Sequence, residues 1–460
     1  MLPKTNPESV GVRSEGIINF LDEMKEKRLH LHSLMILRHG KVIAETSYAP
    51  WSKDDLHMLF SLSKSFTSTA VGFAVQDGLL SVTDHLTDFF PELLPAEPCE
   101  NMKKITVKHL LTMNSGHSEE PGRFGDNWEE TFLRSYVDNE PGTHFTYNTT
   151  ATYMLAAIVQ KVTGKKMLAY LREKLMDPLG MSEDIWFEES PTGVATGGYG
   201  LNVRVEDIAK LGQFYLQRGK WDGKQLLNEQ WIADAQTPWS DNSKHTGTID
   251  WRSGYGYQFW MCSPDNVFRG DGAYGQFCVV MPDQDMVIAI TSGLDDMGAV
   301  LTSIWKNILP AVGEPSDASD DALRARLAQT VTPACWEEEG MNVSEPETEE
   351  CWLGTYRIQD NNMLGLSELE VAADAVRLIR GDTAEVWQLS FCEWKRAENA
   401  DIAVRAARTE DGLILHGCRI LTPFEDVLKL SFTAHGIEIL GYRNTSINGR
   451  PTQRIIGYRK

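Results

Sequence analysis

The 460-residue chain contains no run of eighteen apolar residues, no CxxC pair and no His-x-x-x-H spacing, and its 44 Lys and Arg are outnumbered by 65 Asp and Glu. The first absence excludes a membrane-spanning helix. The second and third exclude the usual zinc frameworks. The charge imbalance, −21 at neutral pH with a pI near 5.0, leaves no basic patch for nucleic acid or an anionic membrane surface. The amino terminus, MLPKTNPESVGVRSEG, has no apolar segment of the kind that directs export. Seven cysteines (Cys99, Cys262, Cys278, Cys335, Cys351, Cys392 and Cys418) are odd in number and widely spread, which suits reduced thiols and a cytoplasmic location.

What is present divides along the chain. Over residues 1–312, short apolar runs such as SLMILRHGKVIAETSY alternate with longer helical stretches such as ATYMLAAIVQKVTG, a pattern for an α/β or α+β domain. Residues 313–350 change composition, and Glu337 to Glu350 hold seven glutamates. This reads as an acidic linker with one short helix around Leu323. From Cys351 to Lys460, runs such as AVRLIRG, IAVRAARTEDGLILHGCR and VLKLSFTAHGIEILGYRN alternate at strand period, with turns at Asp411-Gly412 and His435-Gly436. A separate antiparallel β domain is expected over residues 351–460.

The stretch FSLSKSFTST, Phe60 to Thr69, gathers six hydroxyls around Lys64. Phe66, Ala70 and Phe73 follow at helical spacing, with Gly78 suited to end the helix, so a helix is predicted from near Ser61. Residues three apart share a helix face, which sets the Ser61 hydroxyl beside the Lys64 amine at a helix N-terminus whose first N–H groups are unpaired. Nucleophile, base and one oxyanion donor would then come from one turn. Ser-x-x-Lys by itself is a weak signal, since a chain of this composition should contain about one by chance. A second occurs at Ser303 and Lys306 within AVLTSIWKNIL, where Leu301, Ile304, Trp305 and Ile308 mark the apolar face of an amphipathic helix. That pair reads as structural.

A second constellation separates the two. Ser61-Leu62-Ser63-Lys64, LLTMNSG at 110–116, PGTHFTYN with its apolar helix to Gly164, and ATGGYGLNVRVEDIAKLGQFYLQRGKWDGKQLL together resemble the penicillin-binding-protein-like serine hydrolases of the class C β-lactamase type. The matches run in family order over roughly residues 10–310. The resemblance implies a β-lactamase/transpeptidase-like fold, an antiparallel sheet flanked by helices with a helical lobe. The carboxy-terminal domain resembles a small lipocalin-like barrel, expected to cover the cleft, narrow the substrate range or mediate association, without catalytic groups of its own. It implies Ser61 as acylated nucleophile, Lys64 as its proton partner and Tyr147 as the phenol that shuttles the proton to the leaving group. A tyrosine, with an ordinary pKa near 10, serves as a base only where a neighbouring ammonium stabilises phenolate.

The sequence departs from the family in two places. The usual Tyr-x-Asn is here Tyr147-Asn148-Thr149, so the substrate contact falls either to Thr149 or to Asn148. The Lys-Thr-Gly or His-x-Gly motif is missing after GYGYQFW, where FRGDGAYGQFCVVMPDQDMVIAITSG stands instead; its runs at 277–281 and 286–291 predict a buried hairpin. Gly270, Gly272 and Gly275 would let the backbone approach a ligand, with an N–H near Ala273 or Tyr274 as second oxyanion donor. Arg269 reads as an exposed strand arginine that could supply the missing positive charge. His245-Thr246-Gly247 fits His-x-Gly literally, yet it precedes GYGYQFW in a polar loop and reads as a coincidence. Asp207 in VEDIAK reads as a helix brace.

The expectation is a cofactor-independent serine hydrolase acting on a small ester, amide or peptide through a Ser61 acyl-enzyme. β-Lactamase or DD-peptidase activity is the alternative within the fold, and a sensor that acylates without turnover is the alternative outside catalysis. Specificity is expected from the loops 116–130 and 237–252.

Overall fold

The computed structural model describes residues 2–123, 125–328, 350–391, 393–396, 401–445 and 453–460. Its first region is built on a six-stranded antiparallel sheet of β1 (Leu31–Arg38), β2 (Lys41–Ser47), β3 (Trp260–Met261), β4 (Phe268–Gly272), β5 (Gln276–Met281) and β6 (Met286–Ser292), in the order β2-β1-β6-β5-β4-β3. The predicted hairpin is β5–β6, with Phe277 opposite Ile290 and Val279 opposite Ile288. Because successive side chains on a strand face opposite sides, each strand feeds two cores. Leu34, Ile36, Phe277, Val279, Ile288 and Ile290 pack with Ile17, Phe20 and Met24 of helix α1 (Ser14–Glu26). Met35, Leu37, Cys278, Val280, Val287 and Ala289 face the larger core of the helical lobe. This is a mixed α/β fold.

The lobe's two central helices carry the quoted motifs. The apolar positions Phe66, Ala70 and Phe73 of α2 (Ser63–Gln76) are buried, and Gly78 follows its end at φ 71°. Helix α3 (Thr149–Thr163) packs on α2 and ends at Gly164, whose φ is 66°. Asp207 braces the start of α4 (Val205–Leu216), accepting from the backbone N–H groups of Arg204 at 3.1 Å and Ser182 at 3.0 Å.

The second region is a ten-stranded antiparallel sheet: β7 (Gly354–Ile358), β8 (Glu368–Val371), β9 (Ala375–Arg380), β10 (Thr383–Gln388), β11 (Lys395–Arg396), β12 (Ile402–Arg408), β13 (Gly412–Arg419), β14 (Glu425–Thr433), β15 (Gly436–Arg443) and β16 (Gln453–Arg459). Every neighbour in the order β10-β9-β8-β7-β16-β15-β14-β13-β12-β11 is also a neighbour in sequence, except the terminal strands β7 and β16, which pair with each other. Alternation again makes the core: Leu413, Leu430 and Ile439 lie opposite one another across three strands and are buried with Trp387, Leu415 and Ile437.

Two findings bear on the junction. Of the acidic stretch 313–350, residues 313–328 and Glu350 are described, and its helix α5 (Asp321–Ala328) is docked on α1 through buried Leu323. The apolar side chain draws this part of the stretch onto the first region; the glutamates 337–349 lie outside the described residues. The regions also touch: Met58 N–H donates to Leu421 O at 2.8 Å, Trp51 Nε1 to Ile420 O at 3.1 Å, and Asn444 Nδ2 to Gly293 O at 3.1 Å. No described helix is long and apolar enough to cross a membrane. Cys99, Cys262, Cys278, Cys351 and Cys418 are free thiols, while Cys335 and Cys392 lie outside the described residues.

Candidate active site

The helix predicted from Ser61 begins two residues later. Phe60–Leu62 form a 3-10 turn that runs into α2, so Ser61 stands on a tight turn at the head of the helix, half-buried. Phe60 adopts φ +48°, a left-handed conformation unfavourable for a bulky side chain. The approach is set by β4: a Cβ on Gly272 would lie 1.9 Å from Leu59 O. At Gly272 the close passage predicted for the glycine run is therefore made to the backbone leading into Ser61.

Lys64, one turn on, is 1% exposed. Its Nζ lies 3.2 Å from Ser61 Oγ, 3.2 Å from Thr149 Oγ1 and 2.8 Å from Gly198 O. Burial lowers its pKa to about 7, with Glu120 opposing and Arg123 assisting the shift. A neutral amine has two hydrogens and one lone pair. Gly198 O and Thr149 Oγ1 can take the hydrogens, which leaves the lone pair for the Ser61 hydroxyl.

Tyr147 completes the group. Lys64 Nζ lies 4.9 Å from its ring centroid, and the Ser61 hydroxyl is among the groups that act on its phenol, favouring the charged form. The ring stacks on Trp260 at 5.3 Å and meets Tyr255 edge-on at 6.2 Å. The residue as a whole is half-buried. Burial first, then the Asp271 carboxylate, raise its pKa well above that of free tyrosine. Burial penalises both charged forms, so a neutral amine facing a neutral phenol replaces the ammonium–phenolate pair anticipated from sequence. At neutral pH Lys64, and not Tyr147, is the group with an unprotonated fraction able to accept a proton.

The remaining predicted residues divide. Thr149 reaches Lys64, as above. Asn148 does not: it caps α3, its Oδ1 accepting from Ala151 N–H at 2.9 Å, and is fully buried. The capping bond turns its carboxamide oxygen back into its own helix. Ala273 and Tyr274 form the turn between β4 and β5. Ser292 Oγ fixes this turn by donating toward Tyr274 O at 2.8 Å and Gly275 O at 2.6 Å, and Gln276 Nε2 donates to Ala273 O at 3.0 Å. Tyr274 has φ +68°, and its ring meets that of Phe60 at 5.2 Å.

Arg269 is not exposed. It is 0% accessible, its Nε donates to Asp271 Oδ2 at 3.0 Å with Nη2 2.9 Å from the same oxygen, and Nη1 donates to Asp250 O at 2.8 Å. Its guanidinium lies 4.5 Å over Trp251. The strand period of two puts Arg269 and Asp271 on one face, and the pair neutralises in place. The charge is committed to Asp271.

Sequence reasoning missed Asp271, Trp260 and the Gly198 carbonyl. The spacing of Arg269 and Asp271 on one strand was the available signal for the first. The loop 116–130 does reach the site: Glu120 Oε1 accepts from Thr150 Oγ1 at 3.1 Å and pairs with Arg123 Nη1 at 3.0 Å. His245, from the literal His-x-Gly, packs on Trp260 at 5.5 Å and Phe145 at 5.6 Å, on the aromatic wall behind Tyr147. No cluster of metal-ligating side chains occurs among the described residues.

Residues 19–311, more than half of the chain, match the family described as Beta-lactamase. A 6-aminohexanoate-dimer hydrolase from Paenarthrobacter ureafaciens is 24% identical over 319 residues, 64% of this chain and 81% of that protein. Among solved structures, a family VIII carboxylesterase is similar with a TM-score of 0.54 and 16% identity, over 66% of this chain and 99% of that one. The octameric penicillin-binding protein homologue from Pyrococcus abyssi is similar with a TM-score of 0.52 and 19% identity, over 96% of this chain and 99% of that one. The similarity to the last extends through both regions of the fold.

Proposed function

The chain belongs to the β-lactamase family, a serine-hydrolase-type enzyme, and from that premise we propose that it cleaves a small ester or amide through an acyl-enzyme on Ser61. The observation that carries this reading is the buried Lys64 amine, 3.2 Å from Ser61 Oγ, with its pKa brought to about 7. Neutral Lys64 accepts the Ser61 proton as Oγ attacks the carbonyl carbon. The developing oxyanion is held by the N–H of Ser61 and one from the Ala273–Tyr274 turn. Tyr147, protonated, gives its proton to the departing alkoxide or amine, and the Lys64 ammonium restores it. Water then releases the acyl group, with the same pair moving the proton in reverse.

Within the family, the buried Arg269–Asp271 pair favours an esterase or amidase over a β-lactamase or DD-peptidase. A β-lactam presents a carboxylate, and the cation nearest the turn in sequence is already neutralised. The resemblance to a 6-aminohexanoate-dimer hydrolase supports including short linear amides. We read residues 1–312 as the hydrolase domain, 313–350 as an acidic connection partly docked on it, and 351–460 as a lipocalin-like barrel, for which the meander order of the ten strands is the support. The free thiols support a cytoplasmic location.

The test compares p-nitrophenyl acetate and butyrate with nitrocefin and benzylpenicillin under one set of conditions. A missing charge-assisted hydrogen bond costs about 1.5–3 kcal/mol, so kcat/KM for the esters should exceed that for the β-lactams by roughly ten- to two-hundredfold. A higher value for the β-lactams reverses the substrate assignment. Stoichiometric release of p-nitrophenol without turnover would instead favour a sensor.

A further inference from the structure

Two residues that flank the nucleophile hold a backbone conformation their side chains disfavour, Phe60 at φ +48° and Tyr274 at φ +68°. One immediately precedes Ser61; the other lies on the turn that approaches it from β4. Left-handed backbone at bulky residues persists only where surrounding contacts over-determine it. The contact common to both comes from the other region of the chain. The Phe424 ring, on the 420–424 turn between β13 and β14, meets Tyr274 at 5.4 Å and Phe60 at 6.2 Å, both edge-on, while Phe60 and Tyr274 meet at 5.2 Å. Edge-to-face geometry at these separations is attractive and fixes ring orientation.

The turn that carries Phe424 is itself held. Leu421 O accepts from Met58 N–H at 2.8 Å, and Ile420 O accepts from Trp51 Nε1 at 3.1 Å. Asn444 Nδ2 bridges Pro423 O at 2.9 Å and Gly293 O at 3.1 Å. A Cβ on Gly293 would lie 2.4 Å from Pro423 O, so only glycine admits the turn this closely. Behind Phe424, the Arg443 guanidinium covers the ring at 4.8 Å and is tied to Asp426 by an Nε–Oδ1 bond of 2.7 Å.

We infer that Phe424 is a positioning residue: its ring clamps Phe60 and Tyr274 in their left-handed conformations, and so the carboxy-terminal sheet sets the Ser61 turn against the β4–β5 turn. For its effect on rate this rests on Ser61 being the nucleophile; the packing itself does not. The carboxy-terminal region, from which no catalytic group was expected, thereby acts on the site without touching substrate.

The test uses the full-length Phe424→Ala, Phe424→Leu and Phe424→Tyr variants with two readouts. Backbone hydrogen exchange at residues 60–62 and 273–275 should accelerate in Phe424→Ala and return toward wild type in Phe424→Tyr. With p-nitrophenyl acetate, kcat should fall about tenfold in Phe424→Ala, the scale of a modest misplacement of reacting groups, while KM stays within about twofold. If Phe424→Ala does not fold, Phe424→Leu carries the same comparison. Unchanged exchange at both segments in a folded variant overturns the clamp whatever the activity. Faster exchange with unchanged kcat overturns its role in positioning. Faster exchange in Phe424→Ala, alongside a wild-type protein that neither hydrolyses the ester nor is acylated at Ser61, leaves the clamp standing and removes Ser61 as nucleophile.

Discussion

At Ser303 the hydroxyl donates to Glu23 Oε2 at 3.1 Å, and Lys306 Nζ lies 3.2 Å from the same oxygen. At Ser61 the hydroxyl faces Lys64 Nζ at 3.2 Å, and the other partners of that amine are a hydroxyl and a carbonyl. Both pairs are Ser-x-x-Lys. The Lys306 side chain is 65% exposed and ion-paired with Glu23, so it is directed at a carboxylate and not at the serine. Lys64 is buried with only neutral groups hydrogen-bonded to it, and burial lowers its pKa to about 7. Spacing brings a lysine to a serine; desolvation without a bonded carboxylate makes it a base.

The sharpest way to break that contrast is substitution of the two serines. Ser61→Ala should abolish ester hydrolysis, while Ser303→Ala should retain it within about twofold and lose the hydrogen bonds to Glu23 and Asn307, a stability cost of about 1.5–3 kcal/mol. Next in size is Lys64→Met, expected to lower acylation by about a thousandfold or more, within the range for a positioned base. The wild-type rate should rise with pH through about 7, because burial favours the neutral amine and only that form accepts the proton. A limb near the ordinary lysine pKa would show that Lys64 is not desolvated in solution. Tyr147→Phe should reduce turnover about a hundredfold with thermal stability little changed; an unaltered rate would reduce Tyr147 to packing.

The smallest effect on activity belongs to the structural pair's hub. Lys27 first, opposed by burial and then aided by Asn307, Lys306 and Ser303, holds the Glu23 carboxyl at about 2. A depressed folded pKa means that its contribution is present above the unfolded carboxylate range and is lost as pH falls through about 2. Glu23→Gln should therefore lower stability near neutral pH by about 1.5–3 kcal/mol, the scale of hydrogen bonds to a charged group. Activity at 25 °C should stay within about twofold. Calorimetry of both proteins at pH 7 and pH 3 checks the sign.

The parts of this contrast that were legible in the sequence are those set by local period. Ser61 and Lys64 share a face because they are three apart near a helix start, and the continuous apolar runs at 277–281 and 286–291 marked the β5–β6 hairpin that forms the centre of the sheet. Tertiary environment was not legible. Nothing local distinguishes Thr149, which reaches Lys64 across 85 residues, from Asn148, which caps its own helix. Arg269 looked exposed because its partners Asp250, Trp251 and Trp260 come from a preceding loop and strand that fold over it. Phe424 is more than 350 residues from Phe60 in the chain, and no periodicity links them.

The most direct test of the central claim is the site of covalent attachment in the wild-type protein. After brief treatment with a fluorophosphonate near neutral pH, digestion and mass spectrometry should place the adduct on Ser61, with Ser303 unmodified and with loss of hydrolysis in proportion to labelling. An adduct on any other residue accompanied by inactivation, or full labelling that leaves hydrolysis intact, would contradict the assignment of Ser61 and Lys64 as the nucleophile and its base.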